Sequence, residues 1–215
     1  MKISCNHIGK QFGYQWIFRG LSYEFSSGQI YGIKGSNGSG KSTFIKILAG
    51  FTTPSEGTII YQDQNIISNE KIRTFVGLSG PYIDLIDEMT VQEFFHFQHQ
   101  LKPIENYEAI ILELKALPFK KLLDKNIGQL SSGMRQRILL LMAVGSANKI
   151  LFLDEPSSNL DAEGMNWWPK IVQHYAKGKL VFIASNDLYD LSHCQYFIDM
   201  EEFRFVKSNQ KQINF

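Results

Sequence analysis

Residues Gly35 to Thr43 read GSNGSGKST, and no other stretch of this 215-residue chain limits its fold so tightly. Glycines at 35, 38 and 40 free the backbone, and Lys41, Ser42 and Thr43 follow at once. The spacing is G-x-x-x-x-G-K-[ST], a loop whose backbone N–H groups turn inward around an anion. Such a loop belongs between a strand and a helix N-terminus, which adds the positive end of its dipole. The flanks agree. GQIYGIKG (28–35) reads as a strand entering the loop, and STFIKILAGF (42–51) carries Phe44, Ile45, Ile47 and Leu48 in a helical pattern.

The rest of the chain supplies the matching elements. WIFRGLSYEF (16–25) and GTIIYQDQNI (57–66) read as strands, so the first third is β-rich. TVQEFFHFQHQL (90–101) opens with Thr90 and has Glu93 three residues on, a capping box. NYEAIILELKAL (106–117) and SGMRQRILLLMAVGSA (132–147) are also helical, with Pro103 and Pro118 between helices. KILFLDEP (149–156) and KLVFIASND (179–187) are short continuous apolar runs, the pattern of parallel strands covered on both faces. Between them GMNWWPKIVQHYAKG (164–178) reads as a helix interrupted by Pro169. The expected fold is α/β: a P-loop NTPase core over residues 1–215, with an N-terminal antiparallel β subdomain and an α-helical insertion at about 78–146.

Composition narrows the function. A net charge of +1 gives no broad attraction to nucleic acid or anionic lipid. The longest apolar run, ILLLMAVGSA (138–147), is too short to span a bilayer, so the chain is not expected to form a channel itself. Two cysteines make no disulfide framework, and the N-terminus lacks the apolar core of a secretory signal; both suit the cytosol. The C-terminal stretch is short and is expected to hold no sizeable regulatory domain.

The chemistry-bearing residues fall at the ends of strands. Lys41 offers a cation to β- and γ-phosphates, Ser42 a hydroxyl to Mg²⁺, and Thr43 reaches the α-phosphate. ILFLDEP ends in two adjacent carboxylates at the carboxyl end of a strand, where ligands bind in open α/β sheets. Asp154 is expected to hold Mg²⁺ through water and Glu155 to polarise an attacking water. The alternative reading is that both are solvated loop acids.

The motif LSSGMRQR (130–137) resembles the signature of ATP-binding cassette (ABC) proteins, whose usual form is LSGGQ followed by a basic residue and Gln-Arg. The glycine loop, this signature, DEP and then SSNLD (157–161) stand in the family's order, so the resemblance covers nearly the whole chain. It implies an ATPase subunit of an ABC transporter that binds ATP and Mg²⁺. It implies that Gly35, Ser36, Asn37, Gly38, Ser39, Gly40, Lys41, Ser42 and Thr43 wrap the chain's own nucleotide. Phe12 takes the position of the aromatic that stacks on adenine, with Tyr14 as a substitute. Ser131, Ser132 and Gly133 are implied to cap the γ-phosphate held by a second ABC subunit, paired head to tail as a homo- or heterodimer. An ordinary helix cap is the other reading of Ser131. The resemblance further implies an integral membrane permease as partner, a place on the cytoplasmic face of the membrane, and no nucleic acid.

Two positions depart from the family pattern. Counting back from Thr90 puts Pro81 where a metal-contacting Gln belongs; Pro has no side-chain carbonyl, so the metal loses this ligand or takes water or a neighbour such as Ser79. In IASND (183–187), Asn186 replaces a His that contacts the γ-phosphate; an amide cannot become a cation near neutral pH. Glu155 and Asn186 are therefore the expected catalytic pair, with slow hydrolysis. His193 lies too far along to be an obvious replacement. These departures keep two alternatives open: a nucleotide-gated clamp with little hydrolysis, and a soluble ABC protein not linked to transport. His96 and His99 read as surface residues, and Trp167–Trp168 as packing or subunit contact.

Overall fold

The computed structural model describes residues 1–204; the expectation about the C-terminal stretch falls on residues 205–215, outside the described part. β1 (Lys2–Phe12) turns back at Gly13 and pairs antiparallel with β2 (Gln15–Ser26). β3 (Ile30–Lys34) leads into α1 (Lys41–Leu48), the strand–loop–helix order that the glycines predict. β4 (Glu56–Gln62) pairs with the other edge of β1, and β5 (Ile66–Ile67) lies outside it, so the first sheet has the order β2-β1-β4-β5.

The second sheet is parallel throughout. β6 (Val76–Ser79), β7 (Ile150–Asp154), β8 (Leu180–Ala184), β3 and β9 (Tyr196–Asp199) stand in that spatial order. Strand alternation sorts its side chains into two cores. Ile150, Phe152, Leu180 and Phe182 point toward α1 and the antiparallel sheet, joining Phe18, Phe25 and Phe44. Leu151, Leu153, Val181 and Ile183 point the other way, into the helices. The Phe152 and Phe182 rings stack at 4.8 Å across neighbouring strands; each ring fully buried is worth about 1.5–3 kcal/mol.

The second face is covered by α2 (Val91–Leu101), α3 (Tyr107–Ala116), α4 (Ser132–Gly145) and α5 (Ala162–Tyr175). Both bonds of the Thr90–Glu93 capping box form at the start of α2. The helical segment expected at about 78–146 begins later: residues 78 and 79 belong to β6, whose register with β7 fixes them in the sheet. Nor is α4 set apart, since it packs on β6, β7 and α5. The expected interruption at Pro169 is absent. α5 runs through it, and the Met165 carbonyl that Pro169 deprives of its partner accepts a 2.7 Å bond from the Tyr189 hydroxyl. A short helix, α6 (Leu188–Leu191), follows β8.

Candidate phosphate-binding and catalytic site

The site stands at the carboxyl ends of three neighbouring strands, β7, β8 and β3. The loop after β3 reaches α1 through Gly40, whose φ of 103° lies in the region that favours glycine. A Cβ there would also lie 2.7 Å from Ile17 Cγ2. Gly40 offers no side chain to cap α1, so the first-turn N–H groups of the helix are free for an anion. The Lys41 ammonium folds back over the loop, donating to the Gly35 carbonyl at 2.8 Å and the Ser36 carbonyl at 3.3 Å, and lies 3.9 Å from Glu155 Oε1.

The two carboxylates differ in setting. Asp154 closes β7 and is buried, and its Oδ2 has no hydrogen-bond partner. Burial pushes its carboxyl above the ordinary value; the Ser42 hydroxyl beside it, Lys41 and Lys46 pull the other way, and Glu155 adds to the rise. Glu155 is half-buried and has left the strand with φ of 52°, a conformation that costs a non-glycine residue about 1 kcal/mol. It is held there by its N–H on the Ala184 carbonyl at 2.8 Å and by the Ser185 hydroxyl, which donates to Oε2 at 2.9 Å. Oε1 remains open toward Lys41.

β8 ends between these two halves and touches both. Asn186 donates from Nδ2 to Asn37 Oδ1 of the glycine loop at 3.4 Å, so the amide stands beside the loop. His193 does not reach the site: its ring packs edge-on between Trp168 and Tyr189. Ser79 is also badly placed for the metal. It stands in register with Leu153, and by strand alternation it shares that residue's face rather than Asp154's.

Two adjoining clefts result. One, ≈ 390 Å³, is lined by Asn37, Gly38 and Gly40 to Thr43 with Ile17, Pro81, Asp154 and Glu155. The other, ≈ 640 Å³, shares Ile17 and Gly38 and extends along Phe12, Tyr14 and Trp16. Phe12 is 55% exposed with Lys10 Nζ 4.9 Å from its ring centre, and Tyr14 is 97% exposed. Of the remaining loop residues, Gly35 and the buried Ser39 pack on each other and do not line the cleft, and Ser36 turns its N–H and hydroxyl to the Glu201 carboxylate. These donors hold the Glu201 carboxyl below the usual range.

Ser131, Ser132 and Gly133 line neither cleft. The Ser131 hydroxyl caps α4 by accepting from the Met134 N–H at 3.3 Å. A Cβ on Gly133 would lie 2.6 Å from the Asn159 carbonyl oxygen. Asn159 belongs to the turn after Glu155, so glycine lets the start of α4 rest on that turn. Ser157 of the same turn donates to the buried Asp190 carboxylate at 3.0 Å.

His96 and His99 are separately engaged, with Gln100 and with the Ile104 N–H. Trp168 is core, and Trp167 lies over the Arg137 guanidinium. The sequence did not mark Ser185, Tyr82 or Glu201. Ser185 and Tyr82 lie next to singled-out residues, but neither has a motif of its own. Glu201 is distant in sequence and follows an edge strand too short to show periodicity.

The ABC transporter family model matches residues 18–158. "Nod factor export ATP-binding protein I" of Burkholderia lata is 30% identical over 210 residues, 95% of this chain and 69% of that protein. "Probable sulfate/thiosulfate import ATP-binding protein CysA" of Chlorella vulgaris is 27% identical over 218 residues, 99% of this chain and 92% of the relative. A bacterial ABC transporter cassette solved as a dimer superposes with a TM-score of 0.80 at 21% identity, over 92% of this chain and 93% of the other.

Proposed function

The chain belongs to the ABC transporter family as an ATP-hydrolysing cassette, and on that premise we propose how its own residues do the work. ATP lies across the two adjoining clefts, its triphosphate on the free N–H groups at the start of α1 and its adenine beside Phe12. Lys41 leaves the loop carbonyls it now holds and turns to the β- and γ-phosphates. The Asp154–Ser42 corner suits Mg²⁺: a hydroxyl stands beside a buried carboxylate with one oxygen unpartnered. Among the described residues no cluster of three or more His, Cys, Asp and Glu side chains could cage a metal. Mg²⁺ fits such a corner because it keeps several waters and takes substrate oxygens for the rest of its shell. Bound there, it supplies charge neutralisation on the phosphate oxygens.

Glu155 orients the attacking water through Oε1, while Ser185 occupies Oε2. Asn186 contributes a neutral donor near the reacting phosphate. Phosphoryl transfer asks mainly for positioning and charge stabilisation, and these groups supply both. Ser131 and Ser132 are exposed at the start of α4 and, with Gly133, line neither of the two clefts, which supports their serving a second cassette paired head to tail. Among the described residues no helix is long and apolar enough to cross a membrane. Membership of the transporter family supports a separate membrane subunit that carries the cargo path, with this chain on its cytoplasmic face. The cargo is left to that subunit, since relatives named for export and for import share the cassette.

The observation that carries the reading is that Lys41, Ser42, Asp154 and Glu155 line one cleft, with Asn186 bonded to Asn37 of its rim. Glu155→Gln tests it: the amide keeps the size but loses the carboxylate. Nucleotide binding should persist while turnover falls by about 10²–10⁴-fold, and an ATP-dependent dimer should accumulate in size-exclusion chromatography. Undiminished turnover in a folded Glu155→Gln protein would remove Glu155 from the reaction. Pro81 and Asn186 favour a second reading, a clamp that closes on ATP and cleaves it slowly; wild-type turnover far below one event per closure cycle would select it.

A further inference from the structure

Beside the metal corner lies a second polar atom without a partner. The Tyr82 hydroxyl is sealed from solvent and makes no hydrogen bond. Its ring adjoins Asp154: a Cβ placed on Gly80 would lie 3.1 Å from Asp154 Cβ and 3.3 Å from the Tyr82 carbons Cε1 and Cζ, the latter bearing the hydroxyl. Lys46 of α1 lies 4.1 Å from the ring centre, clamping it against the helix that begins with Lys41 and Ser42. An unpaired buried hydroxyl and an unpaired buried carboxylate oxygen are each destabilising. Both are relieved if one water bridges them. Pro81, the preceding residue, lines the cleft but has no donor to offer.

We infer that Tyr82 is a positioning residue of the metal corner, its hydroxyl donating to a water held on Asp154 and so fixing that carboxylate for a divalent cation. The inference rests on the reading of Ser42 and Asp154 as that corner. Tyr82 lines neither cleft and acts through Asp154. It works as the outer partners of metal-bound carboxylates do, where a lost hydrogen bond typically costs 10–100-fold in affinity.

The test is Tyr82→Phe, which keeps the ring under Lys46 and removes one oxygen. Mn²⁺ binding is followed by electron paramagnetic resonance in the presence of a non-hydrolysable imido analogue of ATP. Binding of the analogue alone, in excess chelator, is measured by calorimetry. The variant should bind Mn²⁺ about tenfold more weakly and the metal-free analogue as tightly as wild type. Unchanged Mn²⁺ affinity would overturn the inference. So would a parallel loss of both affinities, which is what a mere packing role would give. If wild type itself took up no Mn²⁺ with the analogue, the metal corner would fall first, and this inference with it.

Discussion

Replacing Gly133 by Ala sets two effects of opposite sign against each other. Gly133 is the second residue of α4, and Ala is the better helix former by about 1 kcal/mol. The new Cβ, however, would stand 2.6 Å from the Asn159 carbonyl oxygen, about 1 Å inside an optimal contact. That oxygen cannot readily yield. The turn is pinned by bonds from Ser158 N–H to Glu155 and from Leu160 N–H to Ser157, and by Asp161, which caps α5. Overpacking against fixed backbone costs about 1–3 kcal/mol, and the propensity gain is diluted at the end of a helix. The expected net loss is about 1 kcal/mol. In urea unfolding this lowers the midpoint by about 0.5 M for a slope near 2 kcal/mol/M. Ser132→Ala, one exposed residue away, should change stability by less than about 0.5 kcal/mol. A Gly133→Ala midpoint equal to wild type or above it would refute the contact as the reason for glycine here.

Asn186→His should raise steady-state turnover at saturating MgATP, and Asn186→Ala should lower it by up to about tenfold, less than the 10²–10³ lost with a dedicated oxyanion donor; ATP affinity should hardly move. If Ala equals wild type and His gives no gain, Asn186 does not reach the reacting phosphate. Asp161 carries a pH dependence. Its carboxyl lies below the ordinary value of 3.8, held there first by the Gly164 N–H and then by Arg137, whose guanidinium is buried. A depressed carboxyl stabilises the fold above the ordinary value and loses that effect as pH falls through its own lower value. Asp161→Ala should therefore lower Tm near neutral pH and differ less from wild type in strong acid; a gap in Tm that stayed constant on acidification would refute the assignment.

The site's acids, cation and hydroxyls were legible because each sits at a spacing that only backbone geometry explains. The glycine loop needs a strand before it and a helix after it, and β3 and α1 are both there. The continuous apolar runs in KILFLDEP and KLVFIASND likewise carried the two-sided sheet. Tertiary partners were not legible. Pro169 reads as a break until Tyr189 is seen to satisfy the carbonyl it orphans. Ser79 was a reasonable substitute ligand by proximity in sequence, but its register with Leu153 turns it to the other face. Nor does local sequence show that Ser185 of one strand end would brace Glu155 of the next.

The position of β8 sets an order of assembly. It lies between β7 and β3 although it comes late in the chain. A chain made from its N-terminus emerges with the glycine loop first and the paired acids much later, yet these two halves share no strand-to-strand bond. Within the sheet they are joined through residues 180–184, whose arrival closes a long loop back to β3. Until then β3 and β7 each present an open parallel edge, and the elements before them fold without the chemistry being assembled. A chain halted before Leu180 would hold the glycine loop and the paired acids but lack the strand that hydrogen-bonds to both halves of the sheet.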